Sequence, residues 1–241
     1  MVGGLLKSAG ASDEPAPKAI IAPHAGYIYS GPIAASAYAR LEGARRVIRR
    51  IVLIGPAHYE AFAGLATSAV DAFATPLGLV SLDQEASARI RALPHVRARE
   101  AAHAEEHCLE VHLPFLQTIL TEFTLVPLLV GEASDEQISQ VLEALWGGPE
   151  TRVVVSSDLS HFHDYPTAQS LDRATAHAIE ALRGADMGGE QACGCEPIRG
   201  LLRSARTHGL HARTVDLRNS GDTAGSRERV VGYGAFVFSE G

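Results

Sequence analysis

Apolar and polar positions alternate in blocks along most of this chain. Near-continuous runs rich in Val, Ile and Leu predict buried strands at residues 18–24, 49–58, 123–131, 152–161, 213–219 and 230–238. Between them, apolar residues at helical spacing predict helices at 31–43, 83–94, 105–120, 134–147, 167–184 and 196–209. Strands alternating with helices indicate an α/β fold, with a mainly parallel central sheet and helices on both faces.

Local signals refine three of these elements. Pro32 is expected in the first turn of the helix at 31–43, where a missing amide costs least. Pro114 lies inside the predicted helix 105–120 and implies a kink or a break. Residues 64–83 mix both patterns and predict a hairpin.

The first 17 residues differ from the rest, being rich in Gly, Ala, Ser, Pro and acidic residues, and predict a flexible lead. Residues 18–241 show no internal repeat and no low-complexity segment. A single α/β domain over 18–241 is therefore expected.

Composition and charge narrow the functional classes. The 241 residues are 46% hydrophobic and 20% charged, in the range of globular proteins, and carry a net charge of −7 without a basic patch. We therefore expect no nucleic-acid partner.

The apolar runs are far shorter than the ~18 residues of a membrane span, and the first residues are not apolar enough to predict a secretory signal. We predict a cytoplasmic protein without a membrane partner.

Histidine is the unusual residue, with eleven in the chain. Two predicted strands end in His24 and His58, and a third ends in a polar cluster with Asp158 and His161. Ligands in open α/β sheets bind beyond the carboxyl ends of the strands, so these four residues converge if the strands are parallel. Imidazole is the commonest metal ligand in proteins, which makes this edge a candidate metal site.

Sequence spacing does not identify the third ligand of this candidate metal site. Two histidines and one anionic ligand would keep coordination positions free, as catalytic zinc and redox iron sites do. The anionic candidates are the thiolates Cys193 and Cys195 and the carboxylates Glu106, Glu110 and Glu196. The C-x-C spacing is not that of a closed structural zinc site, which needs a second cysteine pair.

The segment "HAEEHCLEVHLPF" carries a second group of polar residues. His103 and His107 are four residues apart, so one helical face could present both, and the same holds for Glu106 and Glu110. The zinc-protease pattern H-E-x-x-H is absent, because residues 103–107 read H-A-E-E-H. The alternative is a polar helix rim without chemistry.

Several motifs, in order, resemble those of the Memo family, the mediators of ErbB-driven cell motility, whose prokaryotic members are called AmmeMemoRadiSam system protein B. They are "PHAGYIYSGPIAASAY", "VLIGPAHYEAFAGLATS", "TPLGLVSLD", "EEHCLEVHLPFLQ", "LVPLLVG", "SSDLSHFHDY", "CGCEPIRGLL" and "NSGDTAGSRERVVGYGAFVF". The resemblance runs from about residue 18 to the end of the chain. Family members usually begin with a segment of the type R-x-P-x-V-A-G-x-F-Y-P, which we do not find in this sequence.

The resemblance implies a fold similar to that of class III extradiol ring-cleaving dioxygenases, which hold iron with two histidines and a glutamate. Memo-like proteins resemble these enzymes but have a cysteine in place of the glutamate, and the implied metal ligands are His24, His58 and Cys193. The implied catalytic neighbours are Asp158 and His161. The residues expected to line the substrate cleft are Tyr27, Glu106, His107, Glu110, His112 and His163.

Two functions from different classes follow. The first is a redox enzyme using iron or copper, with zinc as a third option by ligand softness, acting on a small molecule. The alternative is a non-enzymatic module that binds phosphopeptides or proteins in the same cleft, a role with which animal family members are associated. The net charge of −7 argues against a phosphopeptide. The prokaryotic family name implies AMMECR-family and radical SAM proteins as partners.

Overall fold

The computed structural model describes all 241 residues, and its central feature is one large twisted sheet. Its strands are β1 (Ala19–Ala22), β2 (Arg50–Pro56), β3 (Leu65–Thr67), β6 (Val96–Ala98), β7 (Thr124–Val130), β8 (Thr151–Ser156), β9 (His161–His163), β10 (His211–Asn219) and β11 (Val230–Ser239). Strands β4 (Ala72–Thr75) and β5 (Gly78–Ser81) form the predicted hairpin. The helices are α1 (Val2–Ala9), α2 (Tyr27–Tyr38), α3 (Gln84–Ile90), α4 (Glu100–Ala104), α5 (Leu113–Ile119), α6 (Asp135–Leu145), α7 (Tyr165–Glu180) and α8 (Cys195–Thr207).

The centre of the sheet is parallel. The strand order is β10-β11-β1-β8-β2-β7-β3-β6, and β1, β8, β2 and β7 run in the same direction. Antiparallel pairs flank this centre, β11 beside β1 and β3 beside β7, while β9 pairs with β11. The mainly parallel α/β sheet predicted from the sequence is confirmed. The strands that precede His24 and His58 therefore end at one edge, next to the end of β8.

Alternate residues of each central strand enter two separate cores. In β8, Val153 and Val155 face one core with α3, α6, α7 and α8, whereas Val154 faces the other with α1, α2 and α5. Both faces of the sheet are thus covered by helices, which explains why the strands read as continuous apolar runs. None of these helices combines the length and the apolar character needed to cross a membrane.

The N-terminal segment differs from the predicted flexible lead. Residues Val2–Ala9 form α1, and its Leu5 and Leu6 pack against the core on the side of α2 and α5. The contact with α2 is close, because a Cβ on Gly31 would lie 2.7 Å from Leu5 Cδ1. Helix α2 also begins earlier than expected, since the amides of Tyr29 and Ser30 donate to the Gly26 carbonyl. Pro32 is consequently inside the helix.

The helix predicted for residues 105–120 is broken, as Pro114 implied, but its first half is not helical. Helix α4 ends at Ala104, a short 3-10 turn spans Glu110–His112, and α5 starts at Leu113 with Pro114 in its first turn. The Glu106 carboxylate accepts hydrogen bonds from the amides of His107 and Cys108, which competes with helical pairing. His103 and His107 therefore do not share a helical face.

Candidate metal centre

His24, His58 and Cys193 meet at the carboxyl edge of the sheet. His24 follows β1, His58 follows β2, and Cys193 lies in the loop before α8. One ligand atom from each of the three lies within 4.8 Å of the others. The Sγ atom of Cys193 is 3.4 Å from Nε2 of His24, and the two imidazole rings meet edge to face with centroids 5.3 Å apart.

Ser156, the last residue of β8, determines the tautomer of His24. Its Oγ donates its only proton to the Cys108 carbonyl at 2.7 Å. The same oxygen lies 2.7 Å from Nδ1 of His24 and can only accept there, so Nδ1 carries the proton. The lone pair of Nε2 is then left for Cys193 or a metal ion, the arrangement that metal-binding histidines require.

Glu106 holds His58 in the same way. Its carboxylate is almost fully buried, and it accepts from the His58 amide at 2.6 Å and from His58 Nδ1 at 3.0 Å. Burial alone would raise the pKa of Glu106, but the hydrogen bonds from His58 and Cys108 outweigh it and lower the pKa to about 2. A carboxylate that orients a histidine from behind is typical of metal sites. Glu106 is thus a support for His58, whereas the sequence left it as a ligand or cleft candidate.

The Cys193 loop is pressed against the end of β8. The Gly194 amide donates to Ser157 Oγ at 3.0 Å, and Ser157 Oγ donates to the Asp158 carbonyl at 2.7 Å. A Cβ on Gly194 would lie 2.7 Å from both the Ser156 carbonyl oxygen and Ser157 Cβ. Only glycine allows this approach, which explains its position directly after Cys193.

The metal-free cluster favours a thiolate. Burial raises the pKa of Cys193, but its hydrogen bonding with His24 and His58 more than compensates and brings the pKa to about 7. Hydrogen bonds to Cys193 and Glu106 raise the pKa of His58 to about 10. The two groups therefore form an imidazolium–thiolate pair when no metal is bound.

The donor set fits a metal ion. Tetrahedral coordination with Zn–N near 2.05 Å and Zn–S near 2.3 Å would place nitrogen and sulfur about 3.6 Å apart. The His24 Nε2 to Cys193 Sγ distance of 3.4 Å is close to that value. His58 is the most exposed of the three, with 37% of its side chain accessible, so the cluster opens to solvent on that side.

Asp158 is the buried acid beside the cluster. Its Oδ1 accepts the amides of His24 at 2.8 Å and Ala25 at 3.3 Å, and its Oδ2 lies 4.0 Å from His24 Nε2. Burial raises the pKa of Asp158 to about 6 against the opposing effects of the His24 amide and the His161 charge. His161 is half-buried in β9, and its charge acts on Asp158. The catalytic roles that the resemblance implies for this pair stay predictions.

Two residues next to the cluster were missed at the level of sequence. Ser156 lies within the motif "SSDLSH", but nothing in its spacing marks it as the partner of His24. Tyr233 of β11 is buried, and burial together with the Asp158 charge raises its pKa.

The other cleft candidates lie in different surroundings. His112 is fully buried and Tyr38 bonds its Nδ1, so its assignment to the cleft is corrected to the core. His107 is exposed and pairs with Glu110 at 2.8 Å. The charge of His163 acts on Asp172 and offsets a small part of the burial that raises the pKa of that carboxyl. Tyr27 donates its hydroxyl to the Val111 carbonyl at 2.8 Å.

Glu106 and Glu110 line one cavity, although the helix on which their spacing argument depended is absent. It has a volume of about 180 Å³ and lies on the side of Glu106 that includes Phe73 and His103.

The remaining anionic candidates are engaged elsewhere. Cys195 is buried, and its Sγ donates to a carboxylate oxygen of Glu196 at 3.0 Å. Cys108 is buried and donates to the Pro56 carbonyl at 3.1 Å, although its sulfur lies near His58 and Glu106. Burial raises the pKa of both thiols, to about 12 for Cys195. Cys193 is thus the cysteine that the fold brings to both histidines.

Comparison with known sequences gives one consistent result. The family model described as Memo-like protein matches residues 4–237. A MEMO1 family protein of Aquifex aeolicus is 34% identical over 233 residues, covering 92% of this chain and 86% of the relative. A MEMO1 family protein of Aeropyrum pernix is 35% identical over 248 residues, covering 97% and 87%.

A solved structure shares the fold at low sequence identity. The uncharacterized protein JW3007 from Escherichia coli K12 superposes with a TM-score of 0.59, over 89% of this chain and 98% of that chain. The two sequences are 14% identical, so the likeness concerns the fold alone.

Proposed function

This chain belongs to the Memo family, and from that premise we propose that His24, His58 and Cys193 bind an iron or copper ion for redox chemistry on a small molecule. The observation that carries the proposal is the fixed orientation of both imidazoles. Each has its Nδ1 occupied, by Ser156 or by Glu106, so that each Nε2 faces the Cys193 sulfur. Imidazole and thiolate together suit iron and copper, with zinc as a third option.

Three protein ligands leave room on the metal for a substrate. When bound, the ion supplies Lewis-acid or electron-transfer chemistry at that open position. The exposed side of His58 is the entry, because the opposite side is closed by β8 and the Cys193 loop.

Asp158 is the residue that we assign to proton transfer. Its Oδ1 is fixed by two backbone amides, whereas Oδ2 faces His24 and has no such anchor. With a pKa of about 6, the carboxyl holds a proton at Oδ2 for part of the time near neutral pH and releases it readily. His161 supplies a nearby charge that favours the carboxylate.

Metal content is the direct test. Wild type, His24→Ala and Cys193→Ser are purified anaerobically beside the matched control Cys195→Ser, and metals are measured by mass spectrometry. We expect about one ion per chain in wild type and control, and most of it lost in the other two variants. Equal content in all four proteins would contradict the ligand assignment. An absorption spectrum that does not change with oxygen, with zinc as the only metal, would remove the redox role.

A protein-binding role is the second candidate, supported by exposed apolar residues close to the cluster in sequence. Ile28, Tyr59 and Phe162 expose 58%, 66% and 61% of their surface and follow His24, His58 and His161 along the chain. Large exposed apolar side chains often mark binding surfaces. Calorimetric titration with phosphotyrosine peptides and with catechols separates the two functions. Saturable peptide binding that is unchanged in Cys193→Ser would favour the binding module.

A further inference from the structure

A second cavity lies at the opposite edge of the sheet, where the central strands begin. Its volume is about 740 Å³, in the size range of small-molecule sites. The residues that line it include Lys18, just before β1, Arg152, the second residue of β8, and Trp146. Strand β1 separates Lys18 from His24, so this cavity is distinct from the candidate metal centre.

Two of the residues that line the cavity are cations without a carboxylate in contact, Arg152, which is buried, and Lys18, which is half-buried. Arg152 is only 8% exposed, and neither Arg152 nor Lys18 forms a salt bridge within 4.0 Å. The nearest acidic groups are Glu150 and Glu240, which influence both cations only at longer range. The Glu150 carboxylate is already bonded to the Gly148 amide and the Thr151 hydroxyl. Buried charges are normally paired, which makes this arrangement unusual.

Lys18 has hydrogen-bond acceptors for its ammonium group but no carboxylate as an ion-pair partner. Its ammonium donates to the carbonyls of Trp146, Gly148 and Thr151 at 2.5, 3.1 and 3.0 Å. Trp146 caps the carboxyl end of α6, whose dipole offers about half a negative charge. Burial and the neighbouring Arg152 nevertheless lower the pKa of Lys18 to about 8, as expected for a cation in a positive environment.

Arg152 has one edge of its guanidinium group free. Its Nη1 makes both of its hydrogen bonds, to the carbonyls of Pro149 and Thr151 at 2.8 and 2.9 Å. Its Nε is buried and has no partner. In arginine, Nε and Nη2 form the parallel pair of donors that matches the two oxygens of a carboxylate or phosphate.

One pair of opposite charges at the cavity is already engaged. Arg213 donates to the Glu14 carboxylate, and both side chains are at least half exposed. Glu240 and the C-terminal Gly241 also line the cavity, but the Glu240 carboxylate acts on Lys18 and Arg152 only at longer range and forms no ion pair with either.

We propose that this cavity binds a small molecule through a carboxylate or phosphate group, which pairs with Arg152 beside Lys18. The anion supplies the counter-charge that both cations lack and the acceptor that the free edge of Arg152 lacks. The remaining volume holds the rest of the molecule next to Trp146. The site does not depend on a metal at the other edge of the sheet.

The chain has a reporter at this site, because Trp146 is its only tryptophan. The metal-free protein of 241 residues is titrated at constant ionic strength with inorganic phosphate, pyrophosphate, acetate and succinate, while Trp146 fluorescence is recorded. We expect a saturable change with at least one of the four anions. The comparison of the phosphate pair with the carboxylate pair identifies which group the site prefers. No saturable change with any of them would overturn the proposal.

Three variants locate the binding. Arg152→Gln removes the charge and Arg152→Lys keeps it but removes the paired donors, and we expect affinity to fall about tenfold or more in each. Arg203→Gln removes an exposed arginine outside the cavity and should bind as wild type does. Wild-type affinity in Arg152→Lys would contradict the proposal, and this variant decides the question if Arg152→Gln does not fold. Cys193→Ser changes the candidate metal centre and not this cavity, so it should bind the anions as wild type does. The outcome of the metal measurements therefore does not decide this proposal.

Discussion

The Ser156 hydroxyl oxygen lies 2.7 Å from Nδ1 of His24, and this contact determines which ring nitrogen faces Cys193. Ser156 cannot donate to the ring, because its proton is already given to the Cys108 carbonyl. A strand-terminal serine thus controls the protonation pattern of a candidate metal ligand that is 132 residues away in sequence.

Ser156→Ala should weaken metal binding without removing a ligand. The His24 ring would lose the acceptor for its Nδ1 proton and would be free to change tautomer, which typically lowers metal affinity about 10–100-fold. Affinity is measured by competition with a chelator of known strength. Ser204→Ala is the matched control, since it removes a buried hydroxyl bonded to Ser139 far from the cluster. Equal affinity in both variants would show that Ser156 does not orient His24.

Glu106→Gln should lower both metal affinity and stability. The carboxylate accepts the amides of His58, His107 and Cys108, and an amide group in its place would turn one acceptor into a donor. We expect the free energy of unfolding to fall by about 1–3 kcal/mol. Because the pKa of Glu106 is lowered to about 2, its stabilisation is present above the usual pKa near 4.5 and lost as pH falls through 2.

Urea unfolding at pH 7 and at pH 3 tests this expectation for Glu106. The exposed neighbour Glu105→Gln serves as the control and should behave as wild type does. If Glu106→Gln is as stable as that control at pH 7, the buried carboxylate does not hold the segment around His58.

Gly194→Ala should displace the Cys193 loop. The new methyl group would lie 2.7 Å from the Ser156 carbonyl oxygen and from Ser157 Cβ, closer than real contacts allow. We expect a loss of about 1–3 kcal/mol in unfolding free energy and weaker metal binding. Gly189→Ala in the same loop is the control, because its Cβ would meet nothing within 4 Å. Thermal unfolding and metal content of the two variants give the comparison, and identical results would show that the loop adapts.

Cys193 should be the reactive thiol of the metal-free protein. Its pKa of about 7 leaves a large thiolate fraction at pH 7.5, whereas burial raises the pKa of Cys195 to about 12 and that of Cys108 well above its usual value. Brief treatment with iodoacetamide, followed by peptide mass spectrometry, should find alkylation mainly at Cys193. Preloading with metal should protect it. Predominant labelling of Cys195 would contradict both the pKa order and the burial of that residue.

Asp172 should make stability fall as pH rises through the acid range. It is buried beneath Gly232, with Oδ1 accepting the Ser160 amide, and burial raises its pKa to about 6. The folded state therefore binds its proton more tightly than the unfolded state, and stability decreases between the usual pKa near 3.8 and 6. Asp172→Asn should lack this decrease and gain up to about 3 kcal/mol at pH 7.5 relative to wild type.

Denaturant midpoints at pH 4.5 and 7.5 measure the effect of Asp172, with the exposed Asp186→Asn as control. A loss of stability in Asp172→Asn at both pH values would mean that the carboxylate is worth more as an acceptor than its burial costs.

The strand ends were predictable because their signals are local. A buried parallel strand needs a continuous apolar run, and the first polar residue after the run marks its carboxyl end, as at His24 and His58. The parallel direction of β1, β8 and β2 then follows from the alternation of strands and helices. Cys193 could not be found this way, and only the family resemblance selected it over Cys195.

The segment 105–112 shows why other features escaped prediction. Its residue types suit a helix, but the Glu106 side chain takes the amides that a helix would use and fixes an irregular turn instead. The irregular turn also depends on His58, which is far away in sequence and donates two further hydrogen bonds to Glu106. Periodicity reports only neighbours along the chain, so a tertiary contact of this kind leaves no trace in it.

The two outer strands of the sheet have a consequence for the behaviour of the protein at high concentration. On one side β6 is three residues long and carries Arg97, and on the other β10 carries Arg213, Asp216 and Arg218. Short or charged edge strands are poor templates for pairing with a second chain. The long apolar strands that build both cores are therefore shielded from edge-to-edge aggregation by their least apolar neighbours.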